Sequence, residues 1–377
     1  MNPARSAERS EPVRIGVVGC GNVLEVGYMP LIERLRAHGL AEMVMACDRR
    51  AELRELVTER YRVPRFTVDY QELVEAPDVE LVLVLTSMPL HAPVSRAALQ
   101  AGKHVLVEKP LATTLEEGLE LVEIARRGPG YLLPAPHVIL SPTFQTMARR
   151  IRRGDIGKPL LARARYGWTG PSWGKWFYQK GGGVLFDLGV YNLTSLTGLL
   201  GPARRVTAMA GVAIPQRIVD GEPIQVEAED NAHVLLDFGE AVLGVVTTGF
   251  TMQQYRSPCI EVYGSSGTIQ MLGDDWDPEG YELWQNEVGA WQIYAETDPG
   301  WPWASGLEHL VECVRQGTRP LITPEHACHV LEIMLMAQES ARDGQAHTLE
   351  TDFEPPVFAE PAPGRPAYLV NDRAYRQ

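Results

Sequence analysis

The sequence has no uninterrupted apolar stretch of the roughly 18 residues that a bilayer-crossing helix needs. Its opening residues, MNPARSAERSEPVR, contain no apolar core of the kind a secretory signal carries, so residues 1–12 are expected to form a flexible leader. Cysteine is sparse: Cys20, Cys47, Cys259, Cys313 and Cys328 are odd in number and never fall in a Cys-x-x-Cys pair. That spacing suggests neither a disulfide framework nor a structural zinc site, and reduced thiols in the cytoplasm fit it best. Positive charge is also short, with 35 Lys and Arg against 48 Asp and Glu and a net charge of −13. Nucleic acid is therefore not an expected partner, because its binding rests on basic patches that release counterions. Internal repeats are absent. What remains is a 377-residue chain, 45% hydrophobic and 22% charged, with the balance of a soluble globular protein and length enough for two domains.

From Val13 to about His137, short apolar runs alternate with amphipathic segments. VRIGVVG, EMVMACD, VELVLVLT, HVLVE and YLLPAPH read as strands, and LEEGLELVEIARR as a helix. Continuous apolar strands separated by helices predict a doubly wound parallel sheet covered on both faces. The pattern then changes. A helix, SPTFQTMARRIRRG, leads into the β-rich runs ARRVTAMAGV, DNAHVLLDFG, AVLGVVTTGF, CIEVYG and TIQML, with turns at Phe238–Ala241 and Gly264–Gly267. These predict an α+β domain, a mainly antiparallel sheet with helices on one face, over residues 139–352 after a first domain over 13–138. Val242–Phe250 is apolar on both faces. A homo-oligomer, dimer or tetramer, is expected through the second sheet face. A last helix starts at Thr323 and Pro324 and runs to about Arg342, and residues 353–377 read as an extended proline-rich tail.

Gly19–Cys20–Gly21–Asn22–Val23–Leu24 follows the first strand and opens a helix, the place of a dinucleotide fingerprint. Gly19 permits a tight turn and Gly21 lets backbone approach a pyrophosphate, while Asn22 and Val23 begin the helix whose free N–H groups face the phosphates. Leu24 stands where glycine or alanine is usual, which makes close packing of helix on strand harder. Asp48 ends the second strand, where a carboxylate accepts hydrogen bonds from the adenosine ribose and repels a 2′-phosphate, favouring NAD. Arg49 and Arg50 follow and offer NADP a phosphate contact if Asp48 turns away. Glu108–Lys109–Pro110 places a charged pair at the carboxyl edge of a parallel strand, where such sheets bind ligands.

Together with GGGVLFDLGVYNL at 181–193, the stretch AGKHVLVEKP at 101–110 closely resembles the Gfo/Idh/MocA oxidoreductase family and its AGKHVxxEKP and GGGxLxDxGxH motifs. Weaker likeness continues through Glu229–Asp230–Asn231 and CIEVYGSSGTIQ to SARDG, so it covers about residues 13–350. The resemblance implies an NAD(P)-dependent oxidoreductase that moves hydride between nicotinamide and a secondary alcohol or ketone of a sugar, cyclitol or related polyol, with no metal. Tyr191 replaces the histidine of many members, as in the glucose–fructose oxidoreductase and dihydrodiol dehydrogenase branch, where tyrosine looks like the acid/base. A neighbouring ammonium stabilises a phenolate, so Lys109 is its natural companion, with Asp187 four residues earlier holding Lys109 or the substrate hydroxyl. The alternative is a tyrosine that only packs in the core.

The resemblance also implies that the loop Thr86–Ser87, leading to His91, passes the cofactor, with Glu108 and Lys109 beside it. Ser87 and Met88 depart from the family's Pro–Asn there. His137, Trp176 and Asn192 are candidate substrate contacts. A structural role for His137 is equally open, and Trp176, in the aromatic segment with Trp168, Trp173 and Tyr178, serves either a sugar face or the core. His326 and His329 have helical spacing but no third ligand in view. Two other activities fit the same motifs: an NAD-dependent glycosidase that oxidises its sugar transiently, and a dinucleotide- and sugar-sensing protein without catalysis.

Overall fold

A computed structural model describes residues 11–256, 258–295 and 301–359. The leader's first ten residues and the tail from residue 360 onward lie outside the described residues. The described residues form two compact units, one from 11–137 together with 302–327, the other from those within 138–301 together with 328–359.

In the first unit the elements run β1 (Val13–Val18), α1 (Met29–Ala37), β2 (Ala41–Cys47), β3 (Phe66–Thr67), α2 (Tyr70–Glu75), β4 (Leu81–Val84), α3 (His91–Gln100), β5 (His104–Val107), α4 (Leu115–Arg127) and β6 (Leu132–Pro134). The six strands pair in parallel in the order β3-β2-β1-β4-β5-β6, with the reversal of order between β1 and β4. Ile15, Val17, Leu81–Val84 and Val105–Val107 are fully buried, which is why these strands read as unbroken apolar runs. Thr114 caps α4 by accepting the Glu117 N–H, and the Glu117 carboxylate reaches back to the Thr113 N–H. Before α1 the chain makes a π-helical turn, Leu24–Tyr28, in which Leu24 is wholly buried. The close approach expected of the third fingerprint position is made instead by Gly27, where a Cβ would stand 2.4 Å from the Trp303 indole.

The second unit holds α5 (Pro142–Arg153), β7 (Pro159–Gly167), α6 (Val190–Leu200), β8 (Arg205–Gly211), β9 (Gln216–Val219), β10 (Glu222–Gln225), β11 (Asn231–Asp237), β12 (Leu243–Gly249), β13 (Ile260–Gly264), β14 (Gly267–Asp274), β15 (Asp277–Gln285) and β16 (Trp291–Ala295). Later come α7 (Gly306–Gln316), α8 (Pro324–Asp343) and β17 (His347–Thr348). A nine-stranded sheet has the order β16-β15-β14-β13-β7-β12-β11-β8-β17, and only β7 and β12 pair in parallel. Helices α5 and α6 cover one face, and Ser340 of α8 bonds the β8 backbone at Ala208. On strands β7, β8, β11 and β12 the other face leaves Leu161, Met209, Leu235 and Leu243 exposed.

One segment departs from the continuous stretch 139–352 read from the sequence. Helix α7 packs in the first unit, against α1, β1 and β5, with Leu307, Leu310, Val311 and Cys313 buried and Glu308 paired to Arg34. Its amphipathic stripe finds an apolar partner there. Strand β7 also escaped the sequence reading: in LLARARYG the inward side chains are Ala162, Ala164 and Tyr166, set between arginines, so no apolar run marks the strand. His329 of α8 accepts the Ala203 N–H at 3.0 Å and meets the Thr351 hydroxyl at 2.9 Å, so its ring joins elements of the second unit. Among the described residues no helix is long and apolar enough to cross a membrane, and no three His, Cys, Asp or Glu are grouped to hold a metal.

Candidate functional site

Gly19 closes the turn after β1 at φ +102°, its N–H on the Cys47 carbonyl. A Cβ there would lie 2.4 Å from the Leu85 carbonyl oxygen, so the turn sits against the end of β4, in the crevice where the strand order reverses. At Gly21 a Cβ would meet nothing nearer than Arg50 Nη2 at 4.0 Å. The helix begins at Asn22 and Val23, both exposed. A dinucleotide phosphate fits this open loop and helix start.

Asp48, 8% exposed, is laced into the same loop. Its Oδ2 accepts the Cys20 N–H at 2.9 Å and Arg50 Nη2 at 3.1 Å, and its Oδ1 accepts the Arg50 N–H at 2.9 Å and Nε at 3.0 Å. Burial pushes the Asp48 carboxyl up, but the hydrogen bonds and charge of Arg50 outweigh it and hold the group below the usual range. Arg49 points to solvent. Of Arg49 and Arg50 it is therefore Arg50 that pairs with Asp48.

Thr86, partly buried, and Ser87, exposed, follow β4. His91 does not present its ring outward: it is 1% exposed, with Nδ1 at 2.7 Å from the Pro110 carbonyl and Nε2 at 3.0 Å from that of Thr86. It ties the loop after β4 to the loop after β5 and carries both. Glu108 is likewise buried, its Oε1 accepting the Tyr28 hydroxyl at 2.8 Å and its Oε2 the Lys109 N–H at 3.2 Å. Lys109 is partly exposed. His137 is enclosed at 1% exposure, with Nδ1 3.1 Å from the Trp303 carbonyl and its ring pressed on Gly306, where a Cβ would stand 2.3 Å from Cδ2. Burial holds its imidazole down at about 4, and that of His309 as well, so His137 is a neutral packing ring in this enclosure.

In the second unit, Gly181 and Gly183 have φ +90° and +102°. A Cβ on Gly183 would lie 2.5 Å from Glu229 Oε1, and the Glu229 carbonyl accepts the Val184 N–H. The glycine turn thus wraps a buried carboxyl that Gln338 also bonds, at 3.0 Å. Next, Leu185–Gly189 winds as a π-helical turn and joins α6. Asp187 and Tyr191 do not share a uniform α-helical face as their spacing suggests, because a wider turn separates them. From residue 182 to 198 every residue is buried except these two. Tyr191 stands edge-on to Tyr166, ring centroids 5.9 Å apart. Asn192 points inward, fully buried, and donates to Asp275 Oδ2 at 3.0 Å. Trp176 is 46% exposed and stacks on Phe177 at 3.7 Å. Tyr28, Tyr166 and Asp275 were missed from sequence, since only the fold brings them to Glu108, Tyr191 and Asn192.

Residues 13–132 match the model of an oxidoreductase family with an NAD-binding Rossmann fold, and residues 144–270 match the GFO/IDH/MocA C-terminal domain. The chain is 28% identical over 347 residues to the 1,5-anhydro-D-fructose reductase of Ensifer adhaerens, spanning 90% of this chain and 99% of that protein. It is 27% identical over 288 residues to the trans-1,2-dihydrobenzene-1,2-diol dehydrogenase of Macaca fascicularis, spanning 73% of this chain and 82% of that one. The fold is that of levoglucosan dehydrogenase, solved in complex with NADH and levoglucosan, with a TM-score of 0.80 at 19% identity over 90% of this chain and 100% of the other. With both family domains matched in order along the chain, and a glycine turn and ribose acid set at the β1–β4 crevice, the protein belongs to the Gfo/Idh/MocA family of NAD-binding oxidoreductases.

Proposed function

We propose that this oxidoreductase moves hydride between nicotinamide and a secondary alcohol or ketone of a sugar, cyclitol or related polyol. The observation that carries the reading is the pairing of exposures on one buried run: Asp187 and Tyr191 alone break cover behind the glycine turn. The relatives' named substrates, an anhydro sugar and a diol, support the same class. In this reading Tyr191 takes the hydroxyl proton during oxidation and returns it during reduction, and Lys109 supplies positive charge to the substrate oxygen. Asp187 holds Lys109 or the substrate hydroxyl in place. The Gly19–Gly21 loop, Asn22, Val23 and Asp48 hold the dinucleotide, with Thr86, Ser87, Glu108 and Lys109 along it and His91 bracing the loops. The bound nicotinamide supplies the hydride acceptor or donor.

Asp48 and Arg50 together set the cofactor preference toward NAD. With Arg50 on its carboxylate, Asp48 keeps a negative charge where a 2′-phosphate would lie. A panel of sugars, inositols and their keto forms, run with NAD and NADP and followed by nicotinamide absorbance, tests both points. Turnover with net NADH change and a preference for NAD is expected, and Asp48→Ala should raise the KM for NAD about tenfold, the worth of one charge-assisted hydrogen bond. Glycoside cleavage with no net NADH would instead identify a hydrolase. Uptake of NAD with no turnover of any panel member would identify a sensor.

The exposed Leu161, Met209, Leu235 and Leu243 on one sheet face support a homo-oligomer, dimer or tetramer, through that face. Light scattering at micromolar concentration should give a multiple of the 41.8 kDa chain, and a monomeric mass would end this part of the reading. The cytoplasm suits five buried, free thiols.

A further inference from the structure

The turn Asp275–Trp276 joins β14 to β15, where a two-residue hairpin tip ordinarily meets solvent. Here Asp275 is 1% exposed. Its Oδ2 accepts Asn192 Nδ2 at 3.0 Å and the Ser195 hydroxyl at 2.9 Å. Both donors lie on one face of the first turns of α6, three residues apart, immediately after Tyr191. The second residue of the turn, Trp276, packs against Tyr166 with ring centroids 6.3 Å apart, and Tyr166 holds the Tyr191 ring from its other edge. One hairpin tip therefore grips the Tyr191 segment twice, through two side chains of the helix that carries it and through the ring that abuts it. The grip is polar: Asp275 Oδ1, Asn192 Oδ1 and Trp276 Nε1 are buried with no hydrogen-bond partner in the protein. Burying a carboxyl costs stability, so a packing role alone does not account for an acid at this position.

We propose that Asp275 is the positioning residue for Tyr191, fixing the first turn of α6 through Asn192 and Ser195 and setting the electrostatic field in which the phenol exchanges its proton. This rests on Tyr191 being the acid/base. Burial pushes the Asp275 carboxyl up to about 7; the bonds from Asn192 and Ser195 work against burial, and the charge of Asp274 adds to it. Asp275 is thus neutral in mild acid and anionic in mild alkali. Asp274, which the Tyr255 hydroxyl bonds, and Cys259 stand beside it, and Tyr166 adjoins it together with Tyr191 and Asp187. A cation on these elements, Arg165 of β7, stacks over Tyr255 at 5.0 Å. An anion at 275 disfavours a second negative charge on the phenolate, so Asp275 raises the pH at which Tyr191 becomes a base.

Two substitutions separate grip from field. Asp275→Asn keeps an acceptor for Asn192 and Ser195 and removes the charge, whereas Asp275→Ala removes both. The absorbance of tyrosinate against pH, with the Tyr191→Phe curve subtracted, reads Tyr191 without any substrate. Its midpoint should fall by about half a unit or more in Asp275→Asn. On the fastest sugar of the panel, Asp275→Asn should keep kcat within about threefold, and Asp275→Ala should lose about tenfold or more with KM for NAD unchanged. If Asp275→Ala fails to fold, Ser195→Ala, which removes one bond, should show a smaller loss of the same kind. An unmoved midpoint in Asp275→Asn overturns the proposal, as does wild-type kcat in folded Asp275→Ala. Wild-type turnover in Tyr191→Phe would remove the acid/base reading itself, whereas loss there with silent Asp275 variants would remove this inference alone.

Discussion

Lys109→Ala is expected to lower kcat by about a thousandfold while leaving the fold in place. The magnitude follows from what one positioned acid–base or charged group contributes to a proton transfer, about 10² to 10⁴ in rate. Oxidation of an alcohol leaves an oxygen that must shed its proton as hydride departs, and a fixed ammonium lowers the barrier by stabilising the developing negative charge. The fold should survive because Lys109 stands just past β5, partly exposed, and its structural bond to Glu108 is made by its backbone N–H. Glu108 retains the Tyr28 hydroxyl in the variant. Tyr191→Phe should lose turnover to a similar extent, keeping the ring that packs on Tyr166 and removing only the hydroxyl. Steady-state rates with the fastest panel substrate check both. A rate within tenfold of wild type in either variant would strike that residue from the chemistry.

Gly19→Ala should be strongly destabilising. The backbone at φ +102° is one that L side chains avoid, at a cost of roughly 1–2 kcal/mol. The added carbon would also stand 2.4 Å from the Leu85 carbonyl oxygen and 3.0 Å from the Thr86 nitrogen, both backbone atoms that no rotamer change can move. β1 and β4 must then separate at the crevice, for a total loss on the order of 3 kcal/mol or more. We expect thermal unfolding at a markedly lower temperature and NAD affinity reduced about a hundredfold. Gly21→Ala is the internal control: its new carbon meets nothing within less than 4.0 Å. It should unfold as wild type does and show weaker NAD binding only, because the methyl intrudes where the pyrophosphate approaches. Equal behaviour of the two variants in calorimetry and in NAD titration would refute this account of the turn.

The first unit was legible because its information is local. Each parallel strand is buried on both faces, so Leu81–Val84 and Val105–Val107 announce themselves as apolar runs, and Gly19 and Asp48 follow at the spacing a β–turn–α unit dictates. The motif residues Lys109, Asp187 and Tyr191 were likewise visible from their immediate neighbours. Element ends were mostly close: α4 spans Leu115–Arg127, the run read as a helix from its sequence.

Periodicity in the chain determined a parallel first unit and a mainly antiparallel second one, while the glycine fingerprint and the family motifs marked the dinucleotide site and the residues available for chemistry. Tertiary structure alone decided which of those residues face outward. His91, His137 and Asn192 have polar side chains suited to a ligand, yet each is turned into the interior, where backbone carbonyls or Asp275 meet it. Helix α7 joined the first unit and Asp275 came to α6 for the same reason. Local sequence sets how wide an element's apolar stripe is, but the surface that covers the stripe comes from residues far along the chain. A hairpin Asp reads as solvated until a helix eighty residues earlier in the chain, carrying Asn192 and Ser195, closes over it.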